Sequence, residues 1–143
     1  MPIPPFLENG FLPEGLHSSD LAEVEERFGK TAPRRKKLFE RLKLFVELAN
    51  HCGAIKMLID GSFVTAKPEP GDVDVVIRLT QPHEELLAQQ DAQAQELERM
   101  FESREPKEAF AAYYEDRWED WVKFFSKVKG SSTLCKGLVE IKP

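Results

Sequence analysis

The chain has 143 residues, of which 41% are hydrophobic and 31% charged, and its formal net charge is -5. This length supports one hydrophobic core and is too short for two well-packed ones, so we expect a single domain over residues 1–143. The negative charge excludes a protein whose entire surface binds nucleic acid. No apolar stretch approaches the roughly 20 residues that span a bilayer, and the first residues lack the features of a secretion signal. We therefore expect a cytoplasmic protein with no membrane partner.

The first half of the chain predicts an arm, two helices and a strand. Residues 1–17 hold four of the ten prolines and show little periodicity, which is typical of an extended arm. A short helix is predicted over residues 18–29, with Glu23 placed to complete a capping arrangement. Apolar residues then recur at helical spacing over residues 31–52 and predict a longer helix. The apolar run 54–59, bounded by glycines, predicts the first strand.

The second half adds at least two more strands. The apolar run 73–79 predicts one, and a polar segment over residues 82–103 predicts a surface helix. The aromatic-rich segment 109–125 is compatible with a strand at 109–114 followed by a helix, or with one continuous helix. Residues 137–141 predict a last strand. This order predicts an α+β fold in which flanking helices cover a small mixed β-sheet.

Two aspartates lie one residue apart at the start of the apolar run. In an extended chain, Asp72 and Asp74 point to the same face because side chains alternate with a period of two. Like charges this close repel each other unless a cation lies between them, and Mg²⁺ prefers such oxygen ligands. At the preceding turn, Gly61 permits close approach of the backbone to a ligand, and the hydroxyl of Ser62 suits a phosphate oxygen. Together these residues predict a metal and nucleotide site.

The pattern "GS", nine residues and then "DVDV" resembles the signature of the DNA polymerase beta-like nucleotidyltransferase superfamily. More broadly, the chain resembles a poorly characterised group of small single-domain nucleotidyltransferase-like proteins. The resemblance implies a minimal nucleotidyltransferase core in which Asp72 and Asp74 hold Mg²⁺ or Mn²⁺, and Gly61 and Ser62 hold the triphosphate of ATP or another nucleoside triphosphate. With this resemblance, Lys67 and Thr65 are further candidates for contacts with the phosphates and complete the expected nucleotide site.

The superfamily pattern usually includes a third carboxylate on a neighbouring strand. Glu140, in the apolar run "LVEIK", is the clearest candidate for this catalytic and metal-binding acid. If residues 109–114 form the neighbouring strand, Glu115 or Asp116 is the nearest substitute. A third acid beside Asp72 and Asp74 favours an active enzyme, and its absence favours a module that binds nucleotide without turnover.

Two functions follow from this resemblance. The first is a Mg²⁺-dependent nucleotidyltransferase that transfers AMP or another NMP to a hydroxyl of a protein, an RNA or a small molecule; small superfamily members suggest a role in a toxin–antitoxin or defence system. The second is a catalytically degenerate regulatory module that binds nucleotide or a partner.

A basic block lies at the start of the longer helix and includes Arg34, Arg35, Lys36 and Lys37. Such a block is typical of a solvated helix face, and its alternative role is to bind the phosphates of a nucleic acid. The second role would appear as salt-sensitive binding that depends on these side chains.

Overall fold

A computed structural model describes residues 3–143, so Met1 and Pro2 of the predicted arm lie outside the described part. The structure contains a five-stranded sheet flanked by helices, which confirms the α+β prediction. The strands are β1 Gly15–Ser19, β2 Lys56–Asp60, β3 Asp74–Arg78, β4 Ala109–Ala112 and β5 Gly137–Ile141. The helices are α1 Leu21–Val24, α2 Pro33–His51, α3 Gln81–Ala88, α4 Ala92–Glu102 and α5 Glu115–Ser126. A π-helical turn, Glu25–Gly29, continues α1, and a 3-10 turn, Ser62–Val64, follows β2.

The sheet has the order β1-β5-β2-β3-β4 and is mixed. The two edge pairs, β1 with β5 and β3 with β4, are parallel, whereas β2 runs antiparallel to both of its neighbours. Alternate side chains of the central strands enter two different apolar clusters. Met57 and Ile59 join the larger cluster with residues of α2 and α4, and Leu58 joins a smaller one with Trp118 of α5. Helices therefore cover both faces of the sheet.

The N-terminal segment differs from the predicted arm because part of it is a strand. β1 pairs with β5 along its whole length, and Ser18 lies opposite Glu140. The predicted helix therefore begins only at Leu21, where the side chain of Asp20 accepts a hydrogen bond of 2.8 Å from the amide of Glu23. The carboxylate of Glu23 accepts from the hydroxyl of Ser19, beside the cap, and from the amide of Ile3 at 2.6 Å, so it also holds the arm against the start of the helix.

Two further differences lie in the second half of the chain. The predicted helix over residues 82–103 is divided into α3 and α4 at Gln90, which adopts a left-handed φ of 60°, and Asp91 caps α4 through the amide of Ala94. Of the two alternatives for residues 109–125, the structure has the strand followed by the helix. Within residues 3–143, no helix combines the length and the apolar character required to cross a membrane.

Candidate functional site

Three aspartates meet at one end of the two central strands. Asp60 is the last residue of β2 and lies directly opposite Asp74, the first residue of β3. Both share a sheet face with Leu58 and Val76, because side chains on a strand alternate. Asp72 precedes β3 by two positions, and all three aspartates line one open cavity of about 620 Å³. We call this cavity the carboxylate cleft.

The turn between β2 and the 3-10 turn brings the backbone close to Asp72. Gly61 has a φ of 93°, in the left-handed region that favours glycine. A Cβ atom at this position would lie 2.8 Å from the backbone oxygen of Asp72. The predicted close approach at Gly61 is therefore an approach to the protein's own backbone, and it sets the position of the carboxylate that follows.

Ser62 holds the side chain of Asp72. Its amide and its hydroxyl donate hydrogen bonds of 2.9 and 2.6 Å to the same oxygen, Oδ1 of Asp72. The hydroxyl also accepts from the amides of Gly71 and Asp72, at 2.8 and 3.3 Å. The hydroxyl and amide expected to bind a phosphate are thus used to orient a carboxylate.

The loop after the turn is held by two further side chains. The hydroxyl of Thr65 donates to the carbonyl of Ser62 at 2.7 Å, so Thr65 also stabilises the turn from within. Arg35 is buried and donates to the carbonyls of Phe63, Thr65 and Lys67 at 2.6 to 2.7 Å, and to that of Phe28 at 3.3 Å. Of the residues predicted to bind phosphate, Lys67 is the one that brings a positive charge to the carboxylate cleft.

Lys136 supplies a second positive charge within the cleft. It immediately precedes β5, and its Nζ lies 3.0 Å from Oδ1 of Asp60. Both side chains are mostly buried, with 16% of Lys136 and 5% of Asp60 exposed. The contact is a mostly buried ion pair, and no other side chain within residues 3–143 donates to Oδ1 of Asp60.

The three carboxyl groups differ in their affinity for protons. Burial raises the pKa of Asp74 to about 7, and the charges of Asp72 and Asp60 add to the increase. Burial also raises the pKa of Asp60, and Lys136 opposes this effect. Burial acts in the same direction on Asp72, but the hydrogen bonds from Ser62 and the charge of Lys136 outweigh it, and the pKa is lowered. Asp72 is therefore the carboxyl that remains ionised most readily.

The acids expected to complete the site lie elsewhere. Glu140 is opposite Leu58 in the pairing of β2 with β5, and it lines a separate cavity with Lys56 and Trp118. Glu115 accepts from Lys56 at 2.6 Å and from Arg78 at 3.2 Å, so it is held by two cations on the same side of the sheet. Asp116 borders another surface cavity, with Tyr113 and Asp120. The acid that lines the carboxylate cleft together with Asp72 and Asp74 is therefore Asp60.

The basic block does not form one continuous surface. Arg35 is buried in the loop contacts above, and Arg34 donates to the carbonyls of Pro70 and Gly71 at 3.0 and 2.7 Å. Lys37 lines a second cavity beside Asp72, whereas Lys36 is exposed and borders neither this cavity nor the carboxylate cleft. Half of the block therefore positions the loop that carries the aspartates.

Asp60 and Lys136 were missed by the sequence interpretation, although each left a signal. Asp60 ends the apolar run "MLID" directly before the Gly-Ser pair, and a charge at the end of a buried strand needs a partner. Lys136 stands immediately before the last predicted strand, at the position where a chain enters a sheet. Only the pairing of β5 with β2 shows that these two ends meet.

Comparison with known proteins gives one match. A family model described as "Family of unknown function (DUF6932)" matches residues 4–142. No curated protein and no solved structure matches the chain. The description of the family names no activity, so the nucleotidyltransferase resemblance stays a prediction. Because the match covers almost the whole chain, the protein belongs to the family of unknown function DUF6932.

Proposed function

We propose that this protein is a metal-dependent nucleotidyltransferase that transfers an NMP group from a nucleoside triphosphate to a hydroxyl acceptor. The observation that carries the proposal is the convergence of Asp60, Asp72 and Asp74 in one cleft that also holds Lys67 and Lys136. Acids and amines in one cleft are the groups that phosphoryl chemistry needs, since transfer depends on positioning and on neutralising charge. The sequence resemblance at Gly61 to Asp74 points to the same chemistry.

The donor atoms of the cleft suit Mg²⁺ or Mn²⁺, both of which prefer oxygen ligands. Burial and the charges of its two carboxylate neighbours make Asp74 a weak acid, so a cation beside these acids relieves their repulsion. Oδ1 of Asp60 is buried and, among the described residues, has only Lys136 as a charged partner, so it can also face a cation. Asp60, Asp72 and Asp74 are the residues that would hold the ion, and their side chains would have to move closer together to do so. When bound, the ion supplies positive charge that stabilises the phosphates and the reacting oxygens.

The other side chains of the cleft bind and orient the substrate. Lys67 and Lys129 are exposed at its edge and are suited to the outer phosphates of the donor, and Lys136 reaches deeper. In the reaction, the acceptor oxygen bonds to the α-phosphorus, the bond from that phosphorus to the bridging oxygen breaks, and pyrophosphate leaves. The acceptor proton passes to a carboxylate or to water. Ser62 keeps Asp72 in a single orientation throughout.

A specific observation also favours the alternative, a regulatory module that binds nucleotide without turnover. Among residues 3–143, no three His, Cys, Asp or Glu side chains lie at the mutual spacing of a metal site. Lys136 already places a positive charge beside Asp60. A degenerate site that replaced a metal ion with a lysine would have this arrangement. A role in a toxin–antitoxin or defence system rests on the resemblance alone and remains a prediction.

The decisive experiment incubates the protein with α-labelled nucleoside triphosphates and Mg²⁺ or Mn²⁺, and measures label transfer and pyrophosphate release. The double variant Asp72→Asn/Asp74→Asn should lose both activities while keeping its fold. Its matched control is Asp116→Asn/Asp120→Asn, which removes two exposed acids of α5 and should leave both activities unchanged. Equal activity in the two double variants would refute the enzyme proposal for this cleft. Metal-dependent nucleotide binding without turnover in the wild type would favour the module.

A further inference from the structure

Asp72 and Asp74 also border a second cavity, of about 410 Å³, on the side of α2. We call it the basic groove. Its α2 side presents Arg34, Lys37 and Arg41, which are spaced by three and four residues and therefore share one face of the helix. Lys107 lies in the segment before β4 and lines the same cavity. The two carboxylates thus lie where two cavities of different composition adjoin.

The charges of the basic groove are partly fixed and partly free. Arg41 pairs with Glu108 at 2.9 Å, which neutralises one cation and one anion of the lining. Arg34 is held by two backbone carbonyls, which direct its guanidinium toward the residue that precedes Asp72. Lys37 is exposed and makes no ion pair or side-chain hydrogen bond with the described residues 3–143. The whole lining has four cationic and three acidic side chains, so it keeps a formal excess of one positive charge in a protein whose net charge is -5. The ammonium of Lys107 donates to the carbonyl of Phe101, so among the described residues Lys37 is the cation of the groove that is free to bind a ligand.

We propose that the basic groove binds the acceptor, and that this acceptor is the hydroxyl-bearing end of a single-stranded polynucleotide. The inference rests on the proposed function, because it assigns the donor nucleotide to the carboxylate cleft and the acceptor to the cavity across Asp72 and Asp74. The terminal hydroxyl lies at the two carboxylates, and the phosphates of the strand lie along α2 beside Arg34 and Lys37. From Arg34 to Arg41 this side extends for about 10 Å, at 1.5 Å for each helical residue.

The positions of the charges favour a polynucleotide over an acidic peptide. Each nucleotide carries one phosphate, so a strand whose end reaches the carboxylates brings phosphates along the basic side in any sequence. An acidic peptide provides charges only where its sequence has Asp or Glu. Lysine binds phosphate as a point charge, and Lys37 has its ammonium free for this contact. Pro106 is exposed and adds apolar surface to the groove, which suits a ribose or a base.

The test compares Lys37→Glu with Lys36→Glu, two variants with the same charge change on the same helix. Lys36 lies on the opposite side of α2 from the groove, so it is the matched control. Binding of a 5′-labelled single-stranded RNA is measured by fluorescence anisotropy over a range of salt concentrations, without nucleotide. We expect Lys37→Glu to weaken binding about tenfold and to reduce the slope of log affinity against log salt by about 0.7. We expect Lys36→Glu to stay within about twofold of the wild type.

The outcomes separate this inference from the proposed function. RNA binding is measured without transfer, so it is judged from Lys37→Glu against Lys36→Glu alone, whereas transfer is judged from Asp72→Asn/Asp74→Asn. Selective weakening by Lys37→Glu in a protein that shows no transfer supports polynucleotide binding in the groove, but it overturns the acceptor role together with the enzyme. Equal effects of Lys36→Glu and Lys37→Glu on RNA binding overturn the proposal that the groove binds a polynucleotide. Labelling of an acidic, serine-containing peptide in preference to RNA overturns it as well, but leaves the transferase proposal standing.

Discussion

Removal of the lysine charge from the carboxylate cleft gives the sharpest test of its electrostatics. In Lys136→Met, Asp60 loses a cation 3.0 Å from its Oδ1 while remaining buried. Breaking a buried ion pair by removing one partner typically costs about 3–5 kcal/mol. Because Lys136 keeps some exposure to water, we expect the lower end, a decrease of about 3 kcal/mol in the free energy of unfolding at about pH 8.

The loss of stability in Lys136→Met should depend on pH, and the carboxyl groups of the cleft decide the direction of this dependence. Without Lys136, the pKa values of Asp60 and Asp74 rise further above that of an ordinary carboxyl. A carboxyl whose pKa is raised by folding binds more protons in the folded protein than in the unfolded chain, so the stability of the variant falls as pH increases above about 4. Protonation of Asp60 costs less free energy at about pH 5 than at about pH 8, so we expect a smaller decrease in stability at the lower pH.

The assay is urea denaturation of wild type and Lys136→Met at about pH 5 and about pH 8. Lys129→Met is the control, because Lys129 lines the same cleft but is exposed, and its loss should change stability by less than about 0.5 kcal/mol. The double variant Asp60→Asn/Lys136→Met should recover most of the stability, since no buried charge is left unpaired. An equal destabilisation by Lys136→Met at both pH values would refute the reasoning.

Three further predictions concern the scaffold and the titration of the cleft. Gly61→Ala should lower the free energy of unfolding by about 1–3 kcal/mol, because alanine is strained at a φ of 93° and its Cβ meets a backbone oxygen. Chemical denaturation measures this difference. An unchanged free energy of unfolding would show that the turn relaxes freely. Arg35→Met should destabilise the protein by about 3 kcal/mol or more in the same assay, because four backbone carbonyls lose a charged donor. The control Lys36→Met should leave the free energy of unfolding nearly unchanged. Because the pKa of Asp74 is raised by folding, its contribution to stability decreases as pH increases between about pH 5 and 7. The free energy of unfolding of Asp74→Asn should therefore fall less steeply with pH than that of the wild type. Parallel curves of unfolding free energy against pH would contradict the raised pKa.

Much of the fold followed from local patterns. The last strand was predicted with the bounds that the structure has. β2 lies one to two residues later than predicted, and β3 is one residue shorter than predicted at each end. The edge strand β1 was missed because its five residues, "GLHSS", carry one large apolar side chain and depend on pairing with β5. The polar helix was divided because Asp91 caps a new helix at a point where the composition does not change. Local patterns cannot reveal contacts that only a distant partner stabilises.

The site shows the same division between near and distant residues. Gly61, Ser62, Asp72 and Asp74 lie within one short segment, and the period of a strand was sufficient to place the two acids on one face. The sequence did not show that the hydroxyl of Ser62 binds Asp72, nor that the guanidinium of Arg35 is buried beneath the loop. Both contacts depend on how the chain turns back after β2.

By itself, then, the sequence determined the class of fold, the turn and the paired aspartates, because these depend on periodicity and on residues close together in the chain. The tertiary structure alone decided that Asp60 lies beside Asp72 and Asp74, that Glu140 lines another cavity and that Lys136 pairs with Asp60. The physical reason is strand register: opposite residues in a sheet are set by pairing over the whole strand, and β5 is more than 70 residues from β2 along the chain.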